Sequence, residues 1–335
     1  MAPTPPRAET PLPAILRPRL RFVRDGTTIR FMRGRFLGLL TSAVLSLLSV
    51  GLFFYPGLKL GIDFHGGIAV EARTQGPADF AALRAALARH GVGDAALQRF
   101  GAADDVLIQL DAPPSRDASG ENATQGLVQK VRTAVAEAQP GTTVLRADAV
   151  GASVSAELFR NGLLALGISL LMILAYIWFR FEWEFAISAV ATLLLDITKT
   201  IGFLAITRFE FDLVMVAAIL TVLGYSTNDK VVVYDRVREN LRKYRTMPLR
   251  ELIDLSINET LNRTLGTSST VFLAALPLAL FGGHTLSGFA WVMLFGIVVG
   301  TSSSIFIAAP ILLLLGENRL RRDTRVAAPV RARPG

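Results

Sequence analysis

The strongest constraint on the fold is a series of six apolar stretches, each long enough to cross a lipid bilayer, which takes about 20 helical residues. They lie at residues 36–58, 161–179, 185–207, 211–234, 262–281 and 286–315. Only 19% of the chain is charged, against roughly a quarter in soluble domains. The sequence therefore predicts an α-helical polytopic membrane protein with six transmembrane helices.

Basic residues indicate which side of the membrane each helix end faces, because lysine and arginine are enriched in cytoplasmic loops. Eight arginines and two acids precede the first stretch, and further basic residues follow the fourth and the sixth. The prediction is a basic cytoplasmic segment at 1–35, helix 1 at 36–58, a periplasmic domain at 59–160, helices 2–6 within 161–315 and a basic cytoplasmic tail at 316–335. The net charge of +8 is thus explained by topology, and no basic stripe interleaved with aromatic residues indicates nucleic-acid binding.

The segment between the first two helices has the pattern of a small α+β domain. A β-branched stretch ends at Arg73, a helical pattern starts near Phe80, and residues 105–111 form an apolar strand pattern. A second helical stripe around Val131 and a strand at 142–148 give the order β, α, β, α, β. This order predicts helices on one face of a sheet. A docking role is favoured over catalysis, and a structural spacer is equally compatible.

The segment GIDFHGG, residues 61–67, joins the first helix to that domain. Its glycines, Gly61, Gly66 and Gly67, permit tight turns and close backbone approach. Asp63 can accept hydrogen bonds from nearby backbone amides. We interpret the segment as a structural turn in preference to a ligand site.

Two charged residues interrupt the third apolar stretch. Asp196 and Lys199 are three residues apart, hence on one helical face and close enough to pair. Phe185 marks the predicted cytoplasmic boundary of this helix. Asp196 is eleven residues further along, roughly 16 Å at helical rise, which places it near the membrane centre. Because an ionised side chain is costly at that depth, the two residues form either a self-neutralising structural pair or part of an ion pathway.

The fourth stretch ends in the polar triplet Asn228, Asp229 and Lys230. Asp229 lies about 9 Å from the predicted cytoplasmic end of its helix, and Arg263 can reach that level with its long side chain. Burial favours a neutral acid and a nearby arginine favours the carboxylate, so a small helix movement can switch such a group between proton acceptor and donor. The alternative is that the triplet marks a fraying helix end at the lipid headgroups.

The predicted site thus has two groups of residues. The predicted ion relay consists of Asp229, Arg263 and Asp196. Asn228, Lys199 and Lys230 are possible relay or pairing neighbours.

The sequence gives no indication of catalysis. It has no Gly-x-x-x-x-Gly-Lys-Ser/Thr phosphate loop and no cysteine, and its three histidines are scattered. We therefore predict neither an enzyme nor a bound cofactor or metal. Six spans with internal charges and no internal repeat suggest half of a pseudo-symmetric transporter whose other half is a separate chain.

Several motifs resemble those of the SecF family of the bacterial Sec protein-export machinery. They are LGIDFHGG (60–67), WFRFEWEFA (178–186), GYSTNDKVVVYDRVREN (224–240), TLNRTLGTSST (260–270) and GTSSSIFIAAP (300–310). The resemblance implies a six-span half-unit of the RND (resistance, nodulation and division) type in the bacterial cytoplasmic (inner) membrane, paired there with SecD. It also implies action after the ATP-driven step, with the proton or sodium gradient helping to release unfolded polypeptide from the SecYEG translocon, and YajC as a possible further partner.

The resemblance also implies roles for particular residues. The family's relay aspartate and arginine fall on Asp229 and Arg263, and Asp196 falls where a His–Asp pair is often seen. Leu195 stands in place of that histidine, and Lys199 and Lys230 are departures from the family pattern. Two other classes stay open: an RND-type exporter of small molecules or lipids, and a membrane scaffold without transport activity.

Overall fold

The computed structural model describes residues 23, 27–99, 103–111 and 118–316. Six helical segments in this part of the chain are long and apolar enough to cross a membrane. They are α1 (Arg35–Phe54), α5 (Ala152–Arg180), α6 (Trp183–Thr207), α7 (Leu213–Lys243), α8 (Leu249–Phe281) and a sixth made of α9 (Gly283–Ser303), a π-helical turn (Ser304–Ala308) and α10 (Ala309–Gly316). The predicted six-helix membrane architecture is confirmed. The predicted terminal segments up to residue 22 and from residue 317 lie outside the described residues.

Three helices extend beyond the apolar stretches that predicted them. α5 begins at Ala152 instead of Asn161, α7 continues past Tyr234 to Lys243, and α8 begins at Leu249, well before the predicted start at Asn262. Hydropathy identifies only the part of a helix that lies in lipid. The extensions carry charged residues, many of which are good helix formers. The charged ends of their side chains can reach water or the lipid headgroups.

The domain between α1 and α5 is built on a four-stranded sheet. Its elements are β2 (Gly67–Arg73), α3 (Phe80–Arg89), β3 (Ala96–Arg99), β4 (Asp105–Asp111), α4 (Ala118–Ala138) and β5 (Thr143–Val150). The spatial order is β3-β4-β2-β5, and every pair is antiparallel. This is the split β-α-β arrangement, in which two helices cover one face of the sheet.

Sequence patterns predicted every element of this domain except β3. That strand has four residues, all of them exposed or half-buried, so it lacks the alternation that marks a half-buried strand. The predicted strands and helices enclose an apolar core that includes Ile68, Val70, Leu83, Ile108 and Val131, each at most 1% exposed.

α7 is the central helix of the membrane bundle and packs against α5, α6, α8 and α9. Gly296 and Gly300 allow α9 to approach it closely, because a β-carbon at Gly296 would collide with the Val222 side chain and one at Gly300 would press on Ser226. The motif of small residues four apart therefore works as a close-contact face between helices.

We expect a methyl group at Gly296 to destabilise the bundle. Gly296→Ala forces apart α9 and the stiff Val222 side chain, so the free energy of unfolding should fall by about 1–3 kcal/mol. Thermal unfolding of the purified protein in detergent measures this change. Gly167→Ala is the matched control, since Gly167 in α5 has open space where its β-carbon would lie. Equal unfolding temperatures for the two variants would contradict the close α7–α9 contact.

Candidate ion-relay site

An enclosed charged cluster lies within the bundle, where α6, α7 and α9 meet. Asp196 of α6 is 2% exposed and Lys230 of α7 is 0% exposed. The Lys230 Nζ atom lies 3.3 Å from Asp196 Oδ2, and the Nζ atom of Lys199, one turn further along α6, lies 3.6 Å from Asp196 Oδ1. The predicted pairing of Asp196 with Lys199 is confirmed, and Lys230 is a second cation on the same carboxylate.

Two serine hydroxyls complete the surroundings of this carboxylate. Ser303 Oγ donates to Asp196 Oδ2 at 2.7 Å, and Ser226 Oγ donates to the same oxygen at 3.1 Å. Lys230 Nζ donates to Ser226 Oγ at 2.6 Å and to Ser303 Oγ at 3.3 Å. With all three charged groups ionised, the cluster has one positive charge in excess. A change in protonation at any of them alters the attraction among three helices.

Asp229 is adjacent to Lys230 in sequence but lies beside a second group of hydrogen bonds, which joins α7, α8 and α9. Its side chain is 1% exposed, and the Thr301 side chain of α9 is among its neighbours. Thr301 Oγ1 is 2.8 Å from Ser268 Oγ of α8, which accepts a hydrogen bond from Tyr225 Oη at 2.7 Å. Asp229 Oδ2 has no hydrogen-bond partner among the described residues. Because Asp229 is enclosed and α7 continues to Lys243, the alternative of a fraying helix end is wrong.

Arg263 lies outside this enclosed space. Its side chain is on the exposed surface of α8, and the described residues include no ion pair between it and Asp229. Asn228 is also exposed, on α7. The direct Asp229–Arg263 partnership expected from the sequence is therefore absent from the described structure, because Arg263 is on the outer side of its helix. The relay role of these residues remains a prediction.

The GIDFHGG segment connects the α+β domain to the start of α7. A short strand, β1 (Lys59–Leu60), pairs in parallel with β6 (Glu210–Phe211) just before α7. A single helical turn, α2 (Ile62–His65), follows β1, and the Asp63 carboxylate there accepts a hydrogen bond from the Leu213 N–H at 3.1 Å. The structural interpretation of this segment is thus supported by its contacts.

The glycines of this segment have distinct backbone roles. The Gly61 N–H donates to the Phe211 carbonyl at 2.9 Å, and a β-carbon at Gly61 would press on Asp212. Gly66 and Gly67 have φ angles of 76° and 141°, which residues other than glycine rarely adopt. They turn the chain from α2 into β2.

Asp212 forms the N-cap of α7 beside Asp63. Its Oδ1 atom accepts from the Met215 N–H at 2.8 Å. The pKa of Asp212 is raised to about 6, mainly by burial; the hydrogen bond from Met215 lowers it, and the nearby Asp63 and Glu210 carboxylates raise it. The first turn of α7 is therefore held by two carboxylates, Asp63 and Asp212.

Sequence reasoning missed the hydroxyl groups of the site. Ser226 lies one turn before Lys230 in α7, and the run Thr301-Ser-Ser-Ser in the sixth apolar stretch supplies one side chain to each hydrogen-bonded group. Hydroxyls at helical spacing from an intramembrane charge were the available signal. Which hydroxyl faces which helix depends on helix rotation.

A six-helix bundle that encloses ionised groups has the architecture of a membrane transport subunit. The family described as "Protein export membrane protein SecD/SecF, C-terminal" matches residues 130–318. The protein translocase subunit SecF of Cereibacter sphaeroides is 40% identical over 284 residues, covering 84% of this chain and 87% of that one. SecF of Rhodobacter capsulatus is 39% identical, covering 83% and 86%. The chain therefore belongs to the SecD/SecF family.

Relatives named SecDF contain a segment similar to this chain within a longer protein. SecDF of Brucella abortus is 42% identical over 84% of this chain, which spans 36% of that protein. The crystal structure of SecDF from Thermus thermophilus superposes with a TM-score of 0.76 at 32% identity, covering 87% of this chain and 39% of that one. The chain thus corresponds to an RND-type half-unit, and family membership gives it a role in Sec protein export as a membrane-embedded translocase subunit.

We expect Asp196 to be the most sensitive member of the enclosed cluster. Asp196→Asn removes the one carboxylate that both Lys199 and Lys230 contact and should lower the free energy of unfolding by about 3 kcal/mol or more. Lys230→Met leaves a balanced Asp196–Lys199 pair, so its cost should be smaller. Adding Lys230→Met to Asp196→Asn should restore part of the loss. Thermal unfolding in detergent measures all three; a Lys230→Met variant less stable than Asp196→Asn would contradict the charge argument.

We also expect Asp212 to make stability depend on pH. Its pKa in the folded protein is above the ordinary value of 3.8, so the folded state binds a proton more tightly than the unfolded state. Protonation of Asp212 therefore adds to the free energy of unfolding. This contribution is fully present below about pH 4 and is lost as the pH rises through about 6. Asp212→Asn keeps an N-cap oxygen and should raise stability at pH 7.5 by on the order of 1 kcal/mol.

The measurement is the unfolding temperature in detergent between pH 4 and pH 8. Asp79→Asn is the matched control, because Asp79 is also an N-cap, at the start of α3, but is located on the exposed surface of the domain. An Asp212→Asn variant that keeps the wild-type pH profile would show that this carboxylate does not titrate as described.

Proposed function

We propose that the chain works with SecD as a SecF-type subunit that uses the proton or sodium gradient to promote protein export after the ATP-driven step. The supporting observation is the enclosed position of Asp229, with one carboxylate oxygen unpaired, beside the Asp196–Lys199–Lys230 cluster. A transmembrane gradient supplies energy only through a charge that moves within the membrane. Asp229 is an enclosed acid with capacity to bind a cation.

Uptake or loss of a proton by Asp229 changes the electrostatic force on the neighbouring Lys230. These two residues are consecutive in α7, and Lys230 Nζ is held by Asp196 of α6 and the hydroxyls of Ser226 and Ser303. When Asp229 is neutral, the ammonium group is attracted only by Asp196. When Asp229 is ionised, it competes for the same ammonium group. The change alters the forces between α6, α7 and α9, which is the type of response that ion coupling requires.

The exposed faces of α7 and α8 support association with a second membrane subunit. On α7, Thr221, Gly224 and Asn228 are exposed at helical spacing, and no side chain of the described chain covers Gly224. On α8, Arg263 and Thr267 are exposed. Small and polar residues at membrane depth are typical of helix–helix interfaces and unfavourable against lipid tails.

SecD is the occupant that we propose for this face. Relatives named SecDF contain a segment similar to this chain within a chain more than twice as long. In the present protein the remaining half is proposed to be a separate SecD chain, with which the Arg263 guanidinium finds its counter-charge or approaches Asp229. This assignment explains why the expected cationic neighbour of Asp229 lies on the outside of the subunit.

The remaining features of the proposal follow from the same assignment. The complex would reside in the bacterial cytoplasmic membrane, in contact with lipid, with both termini in the cytoplasm and the α+β domain in the periplasm. Its further partners would be the SecYEG translocon, YajC and the exported unfolded polypeptide. The subunit itself would catalyse no chemical reaction and would bind no cofactor besides the transported ion.

Replacement of Asp229 tests this function. In vesicles containing SecD, SecYEG, the ATP-driven motor and a precursor protein, Asp229→Asn should remove the part of export that depends on the gradient and leave the ATP-driven part. The carboxamide preserves side-chain size but cannot carry a proton at neutral pH. Asp235→Asn, on the same helix but in a half-exposed ion pair with Arg180, is the matched control.

The same vesicles separate the other two classes of function. Proton flux without any dependence on precursor would indicate an exporter of small molecules or lipids. An Asp229→Asn variant with full gradient-dependent export would contradict the relay, and the absence of any flux in the wild type would indicate a scaffold.

A further inference from the structure

The ammonium group of Lys230 lies among oxygen atoms where α6, α7 and α9 meet. Asp196 Oδ2 is 3.3 Å from Nζ, Ser226 Oγ 2.6 Å, Ser303 Oγ 3.3 Å and the Ser226 carbonyl oxygen 3.4 Å. The set thus contains one carboxylate oxygen, two hydroxyl oxygens and one backbone carbonyl oxygen, contributed by three helices. We call these four atoms the oxygen cage.

The composition of the oxygen cage is that of a binding site for a small, hard cation. Carboxylate and carbonyl oxygens are the ligands that such cations take in proteins, and sodium sites in membrane transporters include backbone carbonyls. An ammonium group can replace the ion because it also carries one positive charge and interacts with oxygen atoms as a hydrogen-bond donor. Lys230 is 0% exposed, so the cage takes the place of water around its charge.

The charges of the cluster also fit one cation at this position. Lys199 Nζ approaches Asp196 Oδ1, whereas Lys230 Nζ approaches Asp196 Oδ2. Each oxygen of the carboxylate therefore has its own cation. Without the charge of Lys230, Oδ2 and the two serine hydroxyls would surround a position suited to one alkali cation, which carries the same charge as the ammonium group.

A groove beside the cluster gives small ions a route toward it. The groove has a volume of about 370 Å³, lies between α1 and the sixth helix and extends from Gly34, at the start of α1, to Lys199. Thr41, Ser42 and Ser302 are among the residues that line it. Hydroxyl-bearing side chains and the Lys199 ammonium group make this groove more favourable for water and ions than a purely apolar one.

We propose that the oxygen cage is an alkali-cation site that Lys230 fills with its own ammonium group, and that Lys230 thereby excludes sodium from it. Lys230 is a specificity-determining residue in this scheme, because its side chain takes the place of the ion. The inference rests on the proposed function and deepens it, since with the cage filled the coupling ion is a proton. A proton needs one oxygen atom, such as the unpaired Asp229 Oδ2, whereas a metal cation needs a shell of several.

Removal of the ammonium group tests the site. Lys230→Ser opens the oxygen cage and adds one more hydroxyl oxygen. The unfolding temperature of the purified full chain in detergent is measured in sodium chloride and in choline chloride at equal concentration. For Lys230→Ser, sodium at about ten times its dissociation constant should raise this temperature by about 3 °C. The wild type should unfold at the same temperature in both salts.

Lys230→Met is the matched control. It removes the same charge but fills the cage with an apolar side chain, so it should show no response to sodium. Adding Ser303→Ala to Lys230→Ser removes one oxygen of the cage and should weaken the response. Equal unfolding temperatures of Lys230→Ser in the two salts would overturn the inference.

A second readout applies if Lys230→Ser unfolds during purification in choline chloride. Recovery of folded protein then replaces the unfolding temperature, and sodium chloride should restore this recovery. Equal loss of folded protein in the two salts would overturn the inference.

The coupling ion is tested in the translocase vesicles used for Asp229→Asn. Export by the wild type should be stimulated by a proton gradient in sodium-free medium, and not by a sodium gradient at equal pH on both sides. Stimulation by the sodium gradient would overturn the inference and leave the proposed function standing. Stimulation by neither gradient would overturn the proposed function, whereas the unfolding temperatures would still decide whether the cage binds sodium.

Discussion

The structure depends most on one carboxylate that two lysines share inside the membrane. Asp196 binds Lys199 from its own helix and Lys230 from α7, and Ser226 and Ser303 supply the hydrogen bonds that make such burial tolerable. Without Asp196, Lys199 and Lys230 would lose the carboxylate that both of them contact. The contacts of the cluster therefore join α6, α7 and α9. It also leaves their attraction sensitive to any proton gained or lost nearby.

α7 is the helix at which the distinct parts of the molecule meet. It carries Asp229 and Lys230 in adjacent positions, contacts α9 closely at Gly296 and Gly300, and starts where Asp63 of the GIDFHGG segment caps its first turn. The same helix presents Thr221, Gly224 and Asn228 on an exposed face. One helix thus carries the candidate relay residues and the proposed partner surface and contacts the α+β domain segment at its start. This arrangement suits a subunit that converts a local charge change into movement.

The sequence predicted those features that depend on local patterns. Apolar length identified six helices, and the spacing of Asp196 and Lys199 predicted their pairing, because residues three apart share a helical face. The contact of Lys230 with Asp196 was not predictable, since it depends on the rotation of α7 against α6. Helix rotation also explains the wrong expectation for Arg263. The sequence allowed its depth in the membrane to be estimated, but it did not show that the side chain points outward from the bundle. β3 was missed because its side chains form no alternating pattern.

We propose that Asp229 takes up and releases the transported ion when the gradient is applied, and that this ion is a proton. Infrared difference spectroscopy of the reconstituted complex with SecD measures this directly through the stretching band of a protonated carboxyl group. We predict a band that changes in amplitude when a proton gradient is imposed, is lost in Asp229→Asn and is retained in Asp235→Asn. A gradient-dependent carboxyl band that persists unchanged in Asp229→Asn, or no such band in the wild type, would contradict the claim.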